Sequence, residues 1–441
     1  MNADAIIEPR WVIPVEPAGV VLERHAVVIR DGVIREILPV EEAARIPSKE
    51  REKLSNHVLI PGLVNLHTHA AMTLMRGLAD DLPLMRWLND HIWPAEARHV
   101  SDRFVYDGTL LACAEMLKGG VTCFADMYFF PEAAARAALA ARMRAALGII
   151  LIDFPTAYAV DAEDYLAKGM ATRDELREEA RISFCLAPHA PYTLNDKMLA
   201  RVAMYANELD LPIHMHVQET EGEIGDSLAR FQLRPLSRLR ALGLVGPGLI
   251  AVHAVHLERS EIELLAEHGC HIAHCPSSNL KLASGVAPVA QLLAAGVNVG
   301  LGTDGAASNN RLDLFEEMRL AALLAKAMSG SADTLPAHQA LRMATLNSAR
   351  ALGLDSRIGS IEVGKAADFA AVDLSGLSLA PCYDPASHLV YCASRNDVTH
   401  VWSAGELLLQ QRNLLKLDER EICALAHAWS NKLGSSRTTA L

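Results

Sequence analysis

Ile60-Pro61-Gly62-Leu63-Val64-Asn65-Leu66-His67-Thr68-His69 is the stretch on which the fold turns. Pro61 and Gly62 stop whatever precedes them, and Leu63 to Leu66 read as a short buried strand ending in two histidines two positions apart. Strand side chains alternate between faces, so His67 and His69 point the same way. Two imidazoles side by side at a strand end begin a divalent-metal site. A lone His-x-His can as well be two polar residues where a strand stops, and the rest of the chain decides between the two.

Outward from this stretch the text alternates. Strand-like runs fall near residues 63–67, 121–126, 148–154, 182–187, 211–217, 249–255, 270–275 and 297–302. Helical text lies between them, at 101–117 (from a Ser101 cap to Gly119-Gly120), 132–147, 196–209, 260–268 and 287–295. Eight strand–helix repeats predict an α/β fold, a (β/α)8 TIM-type barrel over residues 61–358. Residues 70–100 are too long for an ordinary connection and predict a lid.

Both flanks read as β. Residues 5–15 and 26–38 are rich in Val and Ile, with a hairpin signal at Asp31-Gly32, and a short run at 57–60 leads into the barrel. Residues 359–370 read as turn, strand, turn, strand, and 400–409 as two strands around Ala404-Gly405. A last helix is expected over 418–433, then a frayed tail at 434–441. Residues 1–60 and 359–441 are most simply one small β-sandwich domain formed by both termini.

Composition sets limits. In 441 residues, 51% hydrophobic and 21% charged describe a chain that buries a sizeable core. A net charge of −12 without a basic stripe argues against nucleic acid as a partner. The apolar stretch at 133–152 is interrupted by Arg136, Arg142 and Arg144, so no membrane span is expected. No signal peptide is read at the start. The eight cysteines are scattered without Cys-x-x-Cys spacing, which fits the cytoplasm and small core residues.

The chemistry-bearing residues cluster where strands end. His67 and His69 follow the first strand and His189 the fourth. His214 and His216 lie on the fifth, with Glu219 just past it. His253 and His256 come with the sixth, His271 and His274 with the seventh, and Gly302-Thr303-Asp304-Gly305 with the eighth. In a barrel these ends share one face, where active sites sit. His67, His69 and His216 are the expected nitrogen ligands of one divalent metal and Asp304 its oxygen ligand. This set suits Zn2+, with Fe or Mn as alternatives. A bound metal lowers the pKa of its water to about 7. Glu219 is placed to move a proton to the substrate, and His253 to orient the attacking oxygen or the intermediate. Competing readings are a solvated loop carboxylate for Glu219 and a helix cap for Asp304. His214, on the face of His216 but deeper, is expected to be buried and hydrogen-bonded. His256 and His271 are expected to face outward, and His274 either supports the site or packs.

Pro-Gly-x-Val-Asn-x-His-x-His, His-x-x-Glu on the fifth strand, His on the sixth, Gly-Thr-Asp-Gly on the eighth and the late Gly364-Lys365-Ala366-Ala367-Asp368 together resemble the amidohydrolase superfamily over nearly the whole chain. The resemblance implies a metal-dependent barrel flanked by a β-sandwich. Some dinuclear members carry a carbamylated lysine on the fourth strand. Residues 181–192 contain no lysine, so a single metal is implied.

A closer resemblance is to the methylthioadenosine/S-adenosylhomocysteine deaminases and their chlorohydrolase relatives. It rests on Met75-Arg76-Gly77-Leu78-Ala79-Asp80-Asp81-Leu82-Pro83-Leu84-Met85-Arg86-Trp87-Leu88 and Trp93-Pro94-Ala95-Glu96. This implies that Trp87 and Glu96 contact the ribose hydroxyls and His189 the purine ring. The chemistry agrees, since a carboxylate accepts from two vicinal hydroxyls and an indole donates one bond while covering the sugar. Without the resemblance, Trp87 would be a helix-face anchor and Glu96 a solvated carboxylate. Homologues acting on S-adenosylhomocysteine carry arginines after the third strand, whereas residues 145–172 hold only Lys168. With no carboxylate clamp there, 5′-methylthioadenosine is expected to be preferred, and S-adenosylhomocysteine and adenosine to be slower.

The implied reaction is hydrolytic deamination at C6 to 5′-methylthioinosine and ammonia. Glu219 protonates N1, and hydroxide attacks C6 under the guidance of His253 and Asp304. The Pro-Cys-x-x-Cys motif of zinc cytidine deaminases is absent. Two alternatives stay open: the same scaffold acting on guanine, 8-oxoguanine or an s-triazine, and a metal-binding scaffold without catalysis. The expected partner is a small purine nucleoside, and the family suggests a homodimer.

Overall fold

The computed structural model describes residues 2–435. Eight strands, Leu63–Thr68, Val121–Asp126, Arg144–Leu151, Ile182–Pro188, Ile213–Val217, Leu249–His253, His271–His274 and Asn298–Leu301, lie side by side in sequence order. Every neighbouring pair is parallel. These strands are almost wholly buried, as sheets covered on both faces by helices must be. The residues after the eighth strand return to the first: Asp304 N donates to His67 O at 2.9 Å and Thr303 N to Asn65 Oδ1 at 3.0 Å. The sheet is thereby curled into a (β/α)8 barrel, as the alternation predicted.

The third strand begins at Arg144 rather than at 148, and the preceding helix, Pro131–Ala140, stops well short of 147. Ala- and Arg-rich text favours a helix locally, but Arg142 turns left-handed at φ 58°. Arg144 is then drawn into a buried ion pair, a tertiary contact that outweighs propensity.

The two ends of the chain build one further sheet of nine strands. Ser48–Pro61 is its seam, parallel to Ala3–Val12 on one side and antiparallel to Phe369–Asp373 on the other. The short run expected at 57–60 is thus the end of a 14-residue strand. The sheet folds over so that the hairpin turn at Asp31-Gly32 meets the turn at Ala404-Gly405. A Cβ on Gly32 would stand 2.6 Å from the Ala404 carbonyl oxygen, and the residue's φ of +70° suits only glycine well. Ile7, Val27, Ile29, Leu59, Phe369 and Trp402 fill the space between the layers.

Residues 361–363, expected as a strand, are irregular. Gly359 and Gly364 take positive φ, and this stretch meets the sheet through an isolated bridge between Val33 and Ala366 and backbone hydrogen bonds such as Gly364 N to Ile34 O at 2.9 Å. The last helix, Glu419–Ser435, includes Gly434 and Ser435, which were expected in the tail, and 436–441 lie outside the described residues.

Sandwich and barrel are tied by Arg144 and Asp368, both nearly buried. Arg144 Nε donates to Asp368 Oδ2 at 2.7 Å, and Ala404 N donates to Asp368 Oδ1 at 2.6 Å. The aspartate of the Gly-Lys-Ala-Ala-Asp motif is therefore a fastener. All eight cysteines are free and five are buried. Among the described residues no helix is long and apolar enough to cross a membrane.

The sandwich also carries a pH-sensitive pair. His57 Nε2 and His400 Nδ1 share the Thr399 hydroxyl, each at 2.8 Å, and His400 stacks on Trp402. Burial, then the neighbouring His57, pushes the His400 pKa down to about 4. Below pH 6.5 the unfolded chain takes up a proton that the folded chain refuses, so stability falls between roughly pH 6.5 and 4. Melting curves over this range are expected to drop less steeply for His400→Asn than for the parent protein. Parallel curves would show that this histidine does not contribute.

Candidate active site

The first strand ends at Thr68, and His67 and His69 open into the barrel mouth. The bend after the strand is held by Asp126, at the end of the second strand, whose Oδ1 accepts from Ala70 N at 2.7 Å and from the Thr68 hydroxyl at 3.1 Å. His69 Nδ1 donates to the Met127 carbonyl at 2.6 Å, and His216 Nδ1 to the His189 carbonyl at 2.8 Å. A carbonyl only accepts, so in both rings Nδ1 carries a proton, and the neutral ring that a metal needs has its lone pair on Nε2.

Those lone pairs point at other acceptors. His216 Nε2 stands 3.2 Å from His67 Nε2. His67 Nε2 and His69 Nε2 stand 3.3 Å and 3.2 Å from Asp304 Oδ1. Acceptors facing acceptors in a buried site repel unless a cation lies among them. A tetrahedral shell with bonds of about 2.1 Å places neighbouring donor atoms about 3.4 Å apart, close to these three distances, and His67, His69 and Asp304 form one triad with ligand atoms within 4.8 Å of one another, whereas His216 joins through His67. The donor set therefore fits a divalent metal. His253 comes nearly as close: it forms a second triad with His67 and His216 whose ligand atoms lie within 4.8 Å.

The electrostatics agree. Burial would raise the Asp304 pKa, yet His67 and His69 hold its carboxyl well below the usual range. Burial disfavours charge on His69, yet Asp304 raises its pKa to about 9. A position beside Asp304 thus favours positive charge. Burial keeps His67 and His216 neutral, as ligands must be, and His189 and His214 with them. His214 receives His67 Nδ1 at 3.0 Å, the buried, hydrogen-bonded place expected for it.

Asp304 and His253 both have left-handed backbones, at φ 61° and 69°. Such conformations cost about 1–2 kcal/mol outside glycine. Here they turn a side chain at or just past a strand end into the mouth.

Asp304 Oδ2 accepts from the Ser278 and Ser308 hydroxyls at 2.6 and 2.7 Å. His253 Nδ1 meets Asn279 Oδ1 at 2.8 Å, and the Ser284 hydroxyl donates to Glu219 Oε1 at 3.1 Å. One segment after the seventh strand thus touches three site residues. Sequence reading passed over it, although Ser277-Ser278-Asn279 directly after a strand end was a visible signal. Asp126 and Glu223 were also missed. The Glu223 carboxylate accepts from the backbone N–H groups of Gln218 and Glu219, at 3.0 Å each, and so sets the turn that carries Glu219. Burial raises the Glu219 pKa, and its Oε2 lies 3.8 Å from His253 Nε2. His256 turns away and binds the Ser284 carbonyl at 2.7 Å, and His271 pairs with Asn298 on the strand's outer side. His274 is buried and lies outside the cavity lining.

A cavity of about 460 Å³ opens over the cluster and is lined by His69, His189, His216, Glu219, His253 and Asp304 and also by Trp87 and Glu96. His67 lies directly beneath, fully buried. All nine residues given a metal, catalytic or substrate-binding role from the sequence are thus brought to one place. Trp87 and Glu96 come from residues 84–99, within the segment 70–100 expected as a lid, whose helix widens into a π-turn at Leu88–Ile92. At 100° per residue, nine positions of unbroken α-helix would set Trp87 and Glu96 about half a turn apart. The extra residue in the wide turn brings them within about 80°, on the cavity side. Pro94, which cannot supply the N–H of a regular turn, follows directly.

A model of the amidohydrolase family matches residues 58–408. The chain is 50% identical over 438 residues to the 5-methylthioadenosine/S-adenosylhomocysteine deaminase of Saccharophagus degradans, covering 99% of this chain and 98% of that protein. It is 42% identical to the 5'-deoxyadenosine deaminase of Methanosarcina mazei, covering 98% of each. Its fold superposes with a TM-score of 0.97 on the crystal structure of an adenosine deaminase from Xanthomonas campestris with bound zinc, at 49% identity, covering 98% of this chain and 99% of that one. With the barrel, the histidine–aspartate cluster and a family match across most of its length, the chain belongs to the amidohydrolase family.

Proposed function

We propose that the protein hydrolytically deaminates 5′-methylthioadenosine at C6, giving 5′-methylthioinosine and ammonia, with a single divalent metal, Zn2+, held by His67, His69, His216 and Asp304. The observation that carries this reading is the shared cavity. Its lining joins the histidine–aspartate cluster and Glu219 to Trp87, Glu96 and apolar side chains, and among the described residues no lysine or arginine lines it. The names of the relatives support the same substrate class, and the bound zinc of the neighbouring structure supports the metal. Eight free cysteines support a reducing, cytoplasmic setting.

The metal, when bound, supplies Lewis acidity that brings the pKa of a water to about 7. The chain's own residues do the rest. Glu96 accepts from the ribose hydroxyls and Trp87 covers the sugar, fixing C6 over the cluster. His189, kept neutral by burial and by His69, which together push its pKa to about 3, meets the purine edge as an uncharged ring. Glu219, whose raised pKa favours the acid form, gives its proton to N1 and makes C6 electrophilic. The water oxygen bonds to C6, Glu219 recovers a proton from it, and His253 and Asp304 keep that oxygen aligned. The C6–N bond then breaks: the amino group leaves as ammonia with the proton returned by Glu219, and the hydroxyl on C6 passes its remaining proton back to Glu219 as the carbonyl forms.

The apolar wall decides among 5′-substituents. Ile152, Phe154, Pro155, Thr156 and Ala157 line the cavity after the third strand. Lys168, the cation of that region, is engaged by the Tyr158 carbonyl at 2.7 Å and by Asp164 at 2.9 Å. The zwitterionic tail of S-adenosylhomocysteine would find no partner there. Ammonia release from 5′-methylthioadenosine, adenosine and S-adenosylhomocysteine, assayed side by side, is expected to give a kcat/KM for the first at least about tenfold above the last. A preference for S-adenosylhomocysteine would overturn the substrate assignment. Turnover of guanine or a triazine with no nucleoside accepted would overturn the nucleoside reading itself.

A further inference from the structure

We propose that Tyr128 is the positioning residue of the ribose subsite: its hydroxyl holds one carboxylate oxygen of Glu96, so that the other is presented to the vicinal hydroxyls of the nucleoside. The inference rests on the deaminase reading above.

Glu96 is an unusual residue for its surroundings. It faces a cavity whose lining includes Ile92, Trp93, Val100, Ile150 and Ile152, and among the described residues no lysine or arginine lines it. Among the described residues its side chain has one hydrogen bond, from the Tyr128 hydroxyl to Oε1 at 2.7 Å. Such a carboxylate tends to rotate toward solvent or to take up a proton, and burial does push its pKa up to about 7 against the opposing pull of Tyr128. A charge-assisted hydrogen bond from a phenol counters both tendencies. It leaves Oε2 free to accept.

Tyr128 is also well anchored. It is buried and follows Met127, whose carbonyl receives His69 Nδ1 and whose N–H donates to Thr68 O at 3.0 Å. Its ring packs on Phe129 with centroids 5.1 Å apart and meets the edge of His69 at 6.4 Å. Glu96, in contrast, sits on the lid. The Tyr128–Glu96 bond therefore references a lid residue to the same strand end that orients a metal ligand. It sets the distance between the sugar-binding carboxylate and the reacting centre.

The test measures kcat and KM of the metal-loaded protein and of Tyr128→Phe with adenosine, 2′-deoxyadenosine and 3′-deoxyadenosine. The parent protein is expected to prefer adenosine. Y128F is expected to lose about tenfold in kcat/KM on adenosine, carried by KM, and less than about twofold on the two deoxy substrates. A purely structural role would lower all three alike. Glu96→Gln is expected to lose the same preference, and adding Y128F to it to change little more. Melting curves verify folding, and Tyr128→His, which keeps a ring N–H, is expected to regain part of the preference. Equal losses on all three substrates, or none, would overturn the role of Tyr128. Deamination by the parent protein without regard to either hydroxyl would overturn it too while leaving the deaminase reading intact. No deamination of any nucleoside would remove both.

Discussion

Glu219→Gln is expected to lower kcat for 5′-methylthioadenosine about a thousandfold while the bound metal stays at the parent level. The amide keeps the shape and can still receive the Ser284 hydroxyl, but it cannot give a proton to N1 or take one from water. General acid–base groups contribute about 10²–10⁴ in rate, and this side chain is asked to do both jobs. Glu219 is outside the group of acceptors that crowd around Asp304, so metal retention is the control that separates lost proton transfer from lost metal. Steady-state ammonia release together with elemental analysis gives both numbers. Parent-level activity in the variant would remove Glu219 from the mechanism. Loss of metal along with activity would make it part of the cation's environment instead.

Asp368→Ala is expected to destabilise the fold by about 3–5 kcal/mol, the usual cost of stranding one member of a buried ion pair. Arg144 and Asp368 are 8% and 2% exposed, so neither can turn to water. The substitution would leave a guanidinium inside the protein and free the Ala404 N–H as well. The urea midpoint is the measurement, with activity below the transition as its companion. Because this pair lies at the junction of barrel and sandwich, away from the cavity lining, the folded fraction is expected to keep its kcat. A shift below about 1 kcal/mol would mean that the pair is solvated after all.

Much of this protein could be read before its structure. Histidines recur at the ends of several strands, and a barrel puts all strand ends on one face, so convergence follows from periodicity alone. Helix limits marked by chemistry were equally plain. Ser101 caps the helix Asp102–Lys118 and accepts from Phe104 N, and the helix Asp196–Leu209 has the limits its pattern predicted. Where the reading slipped, a distant partner had overruled the local signal. Arg144 lies in Ala-rich, helix-favouring text but belongs to a strand, because Asp368, 224 residues away, receives it. Residues 361–363 looked like a strand, but the turns at Gly359 and Gly364 keep them irregular.

The residues that hold the site in shape were the least legible. Ser284 and Tyr128 carry no signature of their own, Ser278 and Asn279 only their place after a strand end, and each reaches the site through a hydrogen bond that exists only once the chain is closed. The sequence by itself determined the barrel, the set of groups that can ligate a metal and the class of chemistry, because these depend on residue type and on periods of 2 and 3.6. Only the tertiary structure decided which ring nitrogens face the cluster, that the π-turn puts Trp87 and Glu96 on one side, and that Tyr128 holds Glu96. Tautomer, helix phase and rotamer are set by neighbours remote in the chain, and no local pattern encodes them.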